Sequence, residues 1–86
     1  MSDPLASLKA RFVVRAQDDL TVLETADVEA ASDVIHRLAG TAGTLGYHEL
    51  SRLAAVVDQA LHDGQAAPPG ALEALNAELR AVIRRG

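Results

Sequence analysis

Residues Val28–Leu45 read VEAASDVIHRLAGTAGTL. Val28, Ala31, Ile35, Leu38, Ala42 and Leu45 recur at spacings of three and four, which sets them along one side of an α-helix. Gly46 follows the last of them, where a left-handed residue commonly ends a helix. A helix over about residues 28–45 is therefore predicted.

The same test, carried outward, finds three more stripes. Asp3-Pro4 suits a helix start, since Asp accepts from free amides and Pro is tolerated at the first helical position. Leu5, Leu8, Phe12, Ala16, Leu20 and Leu23 then mark a buried face, with Lys9, Arg11, Arg15, Asp18 and Asp19 off it. This helix covers about 4–24. Thr25-Ala26-Asp27 forms a connector, with Asp27 as the next N-cap. Downstream, Leu50, Leu53, Ala54, Val57 and Leu61 define a helix over about 47–63. Gly64 to Gly70, containing Pro68-Pro69, reads as a loop. Leu72, Leu75, Leu79, Val82 and Ile83 give a helix over about 71–85, with acidic Glu73 at its start and basic Arg80, Arg84 and Arg85 at its end, as the helix dipole favours. Short connections make sequential helices antiparallel neighbours. The expected architecture is all-α: an antiparallel up-down-up-down four-helix bundle forming a single domain over 1–86.

Composition agrees. The chain has 86 residues, 49% of them apolar, yet only one Phe, one Tyr and no Trp. Ala and Leu in place of β-branched and aromatic residues favour closely packed helices over a sheet. A net charge of −4 argues against a general nucleic-acid binder, which needs a basic face, and against attraction to an anionic membrane. The absence of cysteine excludes disulfides, thiolate metal sites and cysteine nucleophiles. No apolar run approaches the ~20 residues of a membrane span. Lys9, Arg11 and Arg15 interrupt the stretch a signal peptide would need. A cytoplasmic location and a monomeric state are expected, and the Met1 start with short termini suggests a free-standing protein.

The second helix holds a feature that folding does not require. Gly46 is explained as a cap, but Gly40 and Gly43 lie inside the helix, where each costs about 1 kcal/mol relative to Ala. On a wheel of ~100° per residue, His36 stands roughly 130° from the apolar direction. Gly40 is its i+4 neighbour and Gly43 its i+7 neighbour, with small Ala39 and Ser32 nearby. The reading is an exposed imidazole in a patch cleared of side chains. Such a patch lets another protein's backbone approach a reactive ring. The plain alternative is a surface histidine beside helix-contact glycines.

His36-Arg37-Leu38-Ala39-Gly40, then Thr41-Ala42-Gly43-Thr44-Leu45-Gly46, then Leu50, Leu53 and Ala54 together resemble the histidine-containing phosphotransfer (HPt) domain. The family motif is His-x-Leu-Lys-Gly, small residues, Leu/Phe-Gly and an amphipathic helix. The match is densest over residues 35–61. The resemblance implies that His36 is the phosphoacceptor and Gly40 the small neighbour that opens access, with Ala39 and Gly43 in support. It implies a carrier without its own ATP site or autokinase activity, shuttling a phosphoryl group between receiver aspartates in a multistep phosphorelay. The implied partners are response-regulator receiver domains and a hybrid sensor histidine kinase. This chain is expected to bind no cofactor, with Mg²⁺ belonging to the receiver. Neutral imidazole is nucleophilic without a dedicated base, and phosphoryl transfer rests mainly on positioning and charge stabilisation. Ser32, Asp33, Arg37, Thr44 and Tyr47 are the residues expected at the docking rim.

One departure is evident: the family lysine position is Ala39. Arg37 is nearest in sequence but projects about 100° around the helix, so the partner is expected to supply most of the charge that offsets the phosphoryl group. His48 and His62 match nothing in the motif and read as surface residues. Three separated histidines, with Asp33 as the one acidic residue near His36, make no metal site. Rival readings are a divergent kinase-dimerisation-like bundle, for which Arg37 stands where Glu is needed, and an acyl-carrier-like domain. The latter would use Ser51, whose context Glu49-Leu50-Ser51-Arg52 is unlike a phosphopantetheine site. A non-catalytic interaction bundle leaves the interior glycines unexplained.

Overall fold

The computed structural model describes residues 3–25 and 28–85. Four helices appear and, among the described residues, no strand: α1 (Pro4–Thr25), α2 (Val28–Thr44), α3 (His48–His62) and α4 (Ala71–Arg85). The expected cap at Asp27 lies outside the described residues.

Local chemistry sets the ends. The Leu5 amide donates to Asp3 Oδ1 at 2.9 Å, which satisfies one of the free donors at the start of α1. α2 closes at Gly46, φ +90°, a backbone conformation that a Cβ disfavours. There the Tyr47 amide donates to Ala42 O at 2.9 Å and the Gly46 amide to Gly43 O at 3.1 Å, the paired reverse bonds of a Schellman end. The same pattern closes α3 at Gly64, φ +73°, with Gln65 donating to Ala60 O at 2.8 Å and Gly64 to Leu61 O at 3.1 Å. Because Ser51 N–H already bonds Tyr47 O at 3.0 Å, the chain turns from α2 into α3 within three residues.

α1 packs on α2, α2 on α3, α3 on α4, and α4 returns to α1; the α2–α3 interface is the most extensive. Ala16, Leu38, Ala42, Leu50, Ala54, Leu75, Leu79 and Val82 are fully buried. Small residues at Ala42 and Ala54 let α2 and α3 approach closely.

The stripes depart from expectation in α1 and at two helix starts. Leu5 and Leu8 are exposed, Leu8 by 49%. α1 is 22 residues long against 17, 15 and 15 for the others, so its first turns run past the corner where Phe12 stacks on Tyr47. Val28 is 73% exposed in the first turn of α2 and Leu72 is exposed in that of α4. In their place Val13 and Val34 enter the core. Asp19, assigned outside the apolar stripe, is buried. Its side chain retains 6% of its exposure and pairs with Arg37 of α2. Arg37 Nη2 and Nη1 donate to Asp19 Oδ1 and Oδ2 at 2.7 and 3.1 Å. This two-pronged contact satisfies a carboxylate that would otherwise be costly to bury.

Candidate functional site

His36 projects from the middle of α2 with its side chain 81% exposed. One ring edge is held from α3: Nδ1 lies 3.2 Å from Asp58 Oδ2 and 3.3 Å from Oδ1. An ionised carboxylate is an acceptor only. It selects the tautomer with hydrogen on Nδ1, leaving the Nε2 lone pair free and turned outward. Asp58, whose side chain is 28% exposed, was not among the expected site residues. A signal for it existed, because His36 and Asp58 each lie eleven residues from Tyr47. A helical hairpin folded at Tyr47 brings the two to one level.

The same fold separates the two interior glycines. A Cβ built on Gly40 has nothing within 4 Å, so this position opens to solvent beside His36. A Cβ on Gly43 meets Ser51 Oγ at 3.1 Å and Ser51 Cβ at 3.5 Å. Gly43 therefore faces α3, where it permits close helix contact, rather than flanking the imidazole in open space. Ser51 uses that proximity: its hydroxyl donates to Ala39 O at 2.7 Å. A half-buried serine engaged in this way is not presented for a prosthetic arm, which removes the structural basis of the acyl-carrier alternative.

An open groove of about 720 Å³ runs from His36 along the α1–α2 seam. Gly40, Thr41 and Thr44 line it from α2, and Leu8, Arg11 and Arg15 from α1. Thr44 is exposed, its hydroxyl donating to Gly40 O at 3.3 Å. Arg37 borders the groove while bound to Asp19. Asp33 is exposed and Ser32 half-buried, one helical turn before His36. Ala39 is half-buried against the core.

Tyr47 is placed elsewhere. Its ring stacks on Phe12, centroids 5.2 Å apart and planes 25° apart, and Lys9 Nζ sits 5.7 Å from its centroid. It lies eleven positions along helix and turn from His36, so it builds the α1–α2–α3 corner rather than the imidazole's surroundings. His48 and His62 are exposed at the two ends of α3. Among the described residues, no group of three or more His, Cys, Asp or Glu is placed to hold a metal ion. No described helix is long and apolar enough to cross a membrane.

Among the described residues the module is all-helical and holds one histidine outward on a carboxylate beside an open glycine, which leaves the imidazole accessible. Comparison with protein families makes this specific. The family model described as the Hpt domain matches residues 7–85, nearly the whole chain, and the chain belongs to that family. Hpt domains are phosphotransfer carriers of two-component signalling rather than enzymes with their own ATP site, and they interact with response-regulator receivers. Neither curated proteins nor solved structures give a match.

Proposed function

We propose that this chain is the intermediate carrier of a multistep phosphorelay. His36 Nε2 attacks the phosphorus of a receiver's aspartyl phosphate, the P–O bond breaks, and the aspartate carboxylate leaves. A second receiver's aspartate then takes the phosphoryl group by the reverse displacement. The observation that carries this reading is the His36 ring: exposed, held at Nδ1 by Asp58 and flanked by the vacant side-chain position of Gly40.

Each chemical requirement has a residue to meet it. Asp58 holds the ring so that Nε2 is the free atom and balances the positive charge the ring gains as the N–P bond forms. Gly40 leaves space for the receiver's loops to close around the phosphorus, and Gly43 and Ala39 support α2 where it meets α3. Asp33, Arg37 and Thr44 stand around the imidazole as docking contacts, with Ser32 behind them. Mg²⁺ is assigned to the receiver, and a hybrid sensor kinase is the source of the phosphoryl group. The pairs Asp19–Arg37 between α1 and α2, Phe12–Tyr47 between α1 and the turn after α2, and His36–Asp58 and Ala39–Ser51 between α2 and α3 support alternating directions for α1, α2 and α3, as an up-down-up-down bundle requires.

The test is a two-receiver relay. A phosphorylated receiver is mixed with the chain and a second, unphosphorylated receiver, and label on the second is followed over time. Label should reach the second receiver only when the chain is present. Passage that proceeds equally without the chain, across a panel of receivers, refutes the reading.

A further inference from the structure

We infer that Arg15 of α1, assisted by Arg11, binds the phosphoryl group on His36 across the groove floored by Gly40; this deepens the phosphoacceptor reading and rests on it.

The electrostatic need comes from the site itself. A phosphoryl group brings a charge of about −1.5 to −2 at neutral pH. Asp58 already stands 3.2 Å from the other ring nitrogen, and exposed Asp33 lies on the same helix one turn away. Two carboxylates beside an added dianion call for a cation. Ala39, at the family's lysine position, offers only a methyl group. Arg37 is adjacent in sequence, but its guanidinium is committed to Asp19 through two bonds of 2.7 and 3.1 Å. Withdrawing it would leave a buried carboxylate unpaired.

Two cations remain at the groove. Arg11 and Arg15 line it together with His36. Both are exposed, and among the described residues neither has an ion pair or hydrogen-bonding side-chain partner. The register favours Arg15. Asp19 sits beside Arg37 and Phe12 beside Tyr47, so Arg15, one turn from Asp19 toward Phe12, lies alongside Gly40 and Thr41. That is one turn, about 6 Å of helix rise, beyond His36, and Arg11 is a further turn away. Gly40 puts no side chain between them, and nothing lies within 4 Å of a Cβ placed there. Gly40 thus has a second use: it gives a long flexible cation a path to the phosphoryl oxygens. The guanidinium fork suits those oxygens. The charge expected from the partner is then supplied, at least in part, by this chain.

The first measurement needs no receiver. The protein is loaded with phosphoramidate: the Nε2 lone pair forms the N–P bond, the donor's own N–P bond breaks, and ammonia leaves. The ³¹P resonance of the phosphohistidine is then followed against pH. A cation within about 6 Å of the phosphoryl group in a water-like medium lowers its titration midpoint by at least about half a unit. Arg15→Gln should raise the midpoint by about that amount, Arg11→Gln by less, and Arg15→Lys should stay near wild type. Ala39→Lys added to Arg15→Gln should bring the midpoint back down. Arg84→Gln, at the end of α4 and away from the groove, should change nothing. An Arg15→Gln midpoint equal to wild type overturns the inference and leaves the phosphoacceptor intact. Slower transfer from a receiver with an unmoved midpoint also overturns it, reassigning Arg15 to docking. A wild-type protein that forms no phosphohistidine removes the reading on which the inference rests.

Discussion

Gly40→Ala should make the protein more stable and a poorer phosphotransfer partner. The stability half follows from geometry. An added Cβ meets nothing within 4 Å, so the folded state accepts it without displacement. Replacing an interior helical Gly by Ala then gains about 1 kcal/mol from propensity and from the reduced freedom of the unfolded chain. For a domain of this size that corresponds to a rise in melting temperature of about 4–8 °C. The functional half follows because the same methyl occupies the opening beside His36 where a partner must close. Gly40→Leu should keep most of the stability gain and lose far more transfer.

Gly43 supplies the contrast within the same helix. There a Cβ meets Ser51 Oγ at 3.1 Å, and that hydroxyl is fixed to Ala39 O at 2.7 Å. The propensity gain of about 1 kcal/mol is opposed by overpacking of about 1–3 kcal/mol. Gly43→Ala should be neutral or destabilising, and Ser51→Ala should relieve it, giving a favourable coupling in the double-mutant cycle. Thermal melts of the five variants, with receiver-to-chain transfer rates for the Gly40 pair, measure all of this. A Gly40→Ala protein that melts no higher than wild type would refute the open-space argument. Unchanged transfer by Gly40→Leu would refute the access argument.

Asp58→Ala should slow His36 phosphorylation by up to about fivefold, since an exposed ion-pair-like contact is worth at most about 1 kcal/mol, and ¹⁵N spectra should show the ring losing its Nδ1–H preference; unchanged rates and tautomer would remove Asp58 from the site. Arg37→Ala should cost about 3 kcal/mol in chemical denaturation by stranding the buried Asp19 carboxylate, whereas the paired change to Asp19→Leu and Arg37→Leu should recover most of it. Equal losses in the single and paired variants would contradict that account. Glu49 is held below the ordinary carboxylate range, chiefly by the Arg52 side chain hydrogen-bonded to it. A lowered folded-state value means its contribution is present above the unfolded value and is lost as pH falls through the folded one. Arg52→Gln should therefore remove a small stabilisation at neutral pH and converge with wild type once the pH falls well below 4.5, giving a flatter acid limb that urea titrations across pH can show.

Much of the fold could be read from the chain because each helix carries its own period. The α2 stripe and the Gly46 end were explicit, and the angle between His36 and that stripe gave the exposure of its ring. What escaped was relational. Asp58 and Ser51 have no mark of importance in α3 taken alone; they matter because the Tyr47 turn sets them opposite His36 and near Gly43. Gly40 and Gly43 look equivalent on one wheel and differ only once α3 is present. Asp19 escaped because sorting by hydrophobicity sends a carboxylate outward, and its compensation, Arg37, lies on another helix. Leu5 and Leu8 fit the α1 period but lie beyond the Phe12–Tyr47 corner and stay exposed.

Whether His36 carries the phosphoryl group is tested most directly by label retention. Wild type and His36→Gln are each incubated with a ³²P-labelled phosphoreceiver, and acid-labile, base-stable label on the chain is counted. Wild type should carry such label and His36→Gln none, while the melting temperature of His36→Gln should match wild type because the ring is exposed. Label of that stability persisting on His36→Gln, or absent from wild type across a panel of receivers, would contradict it.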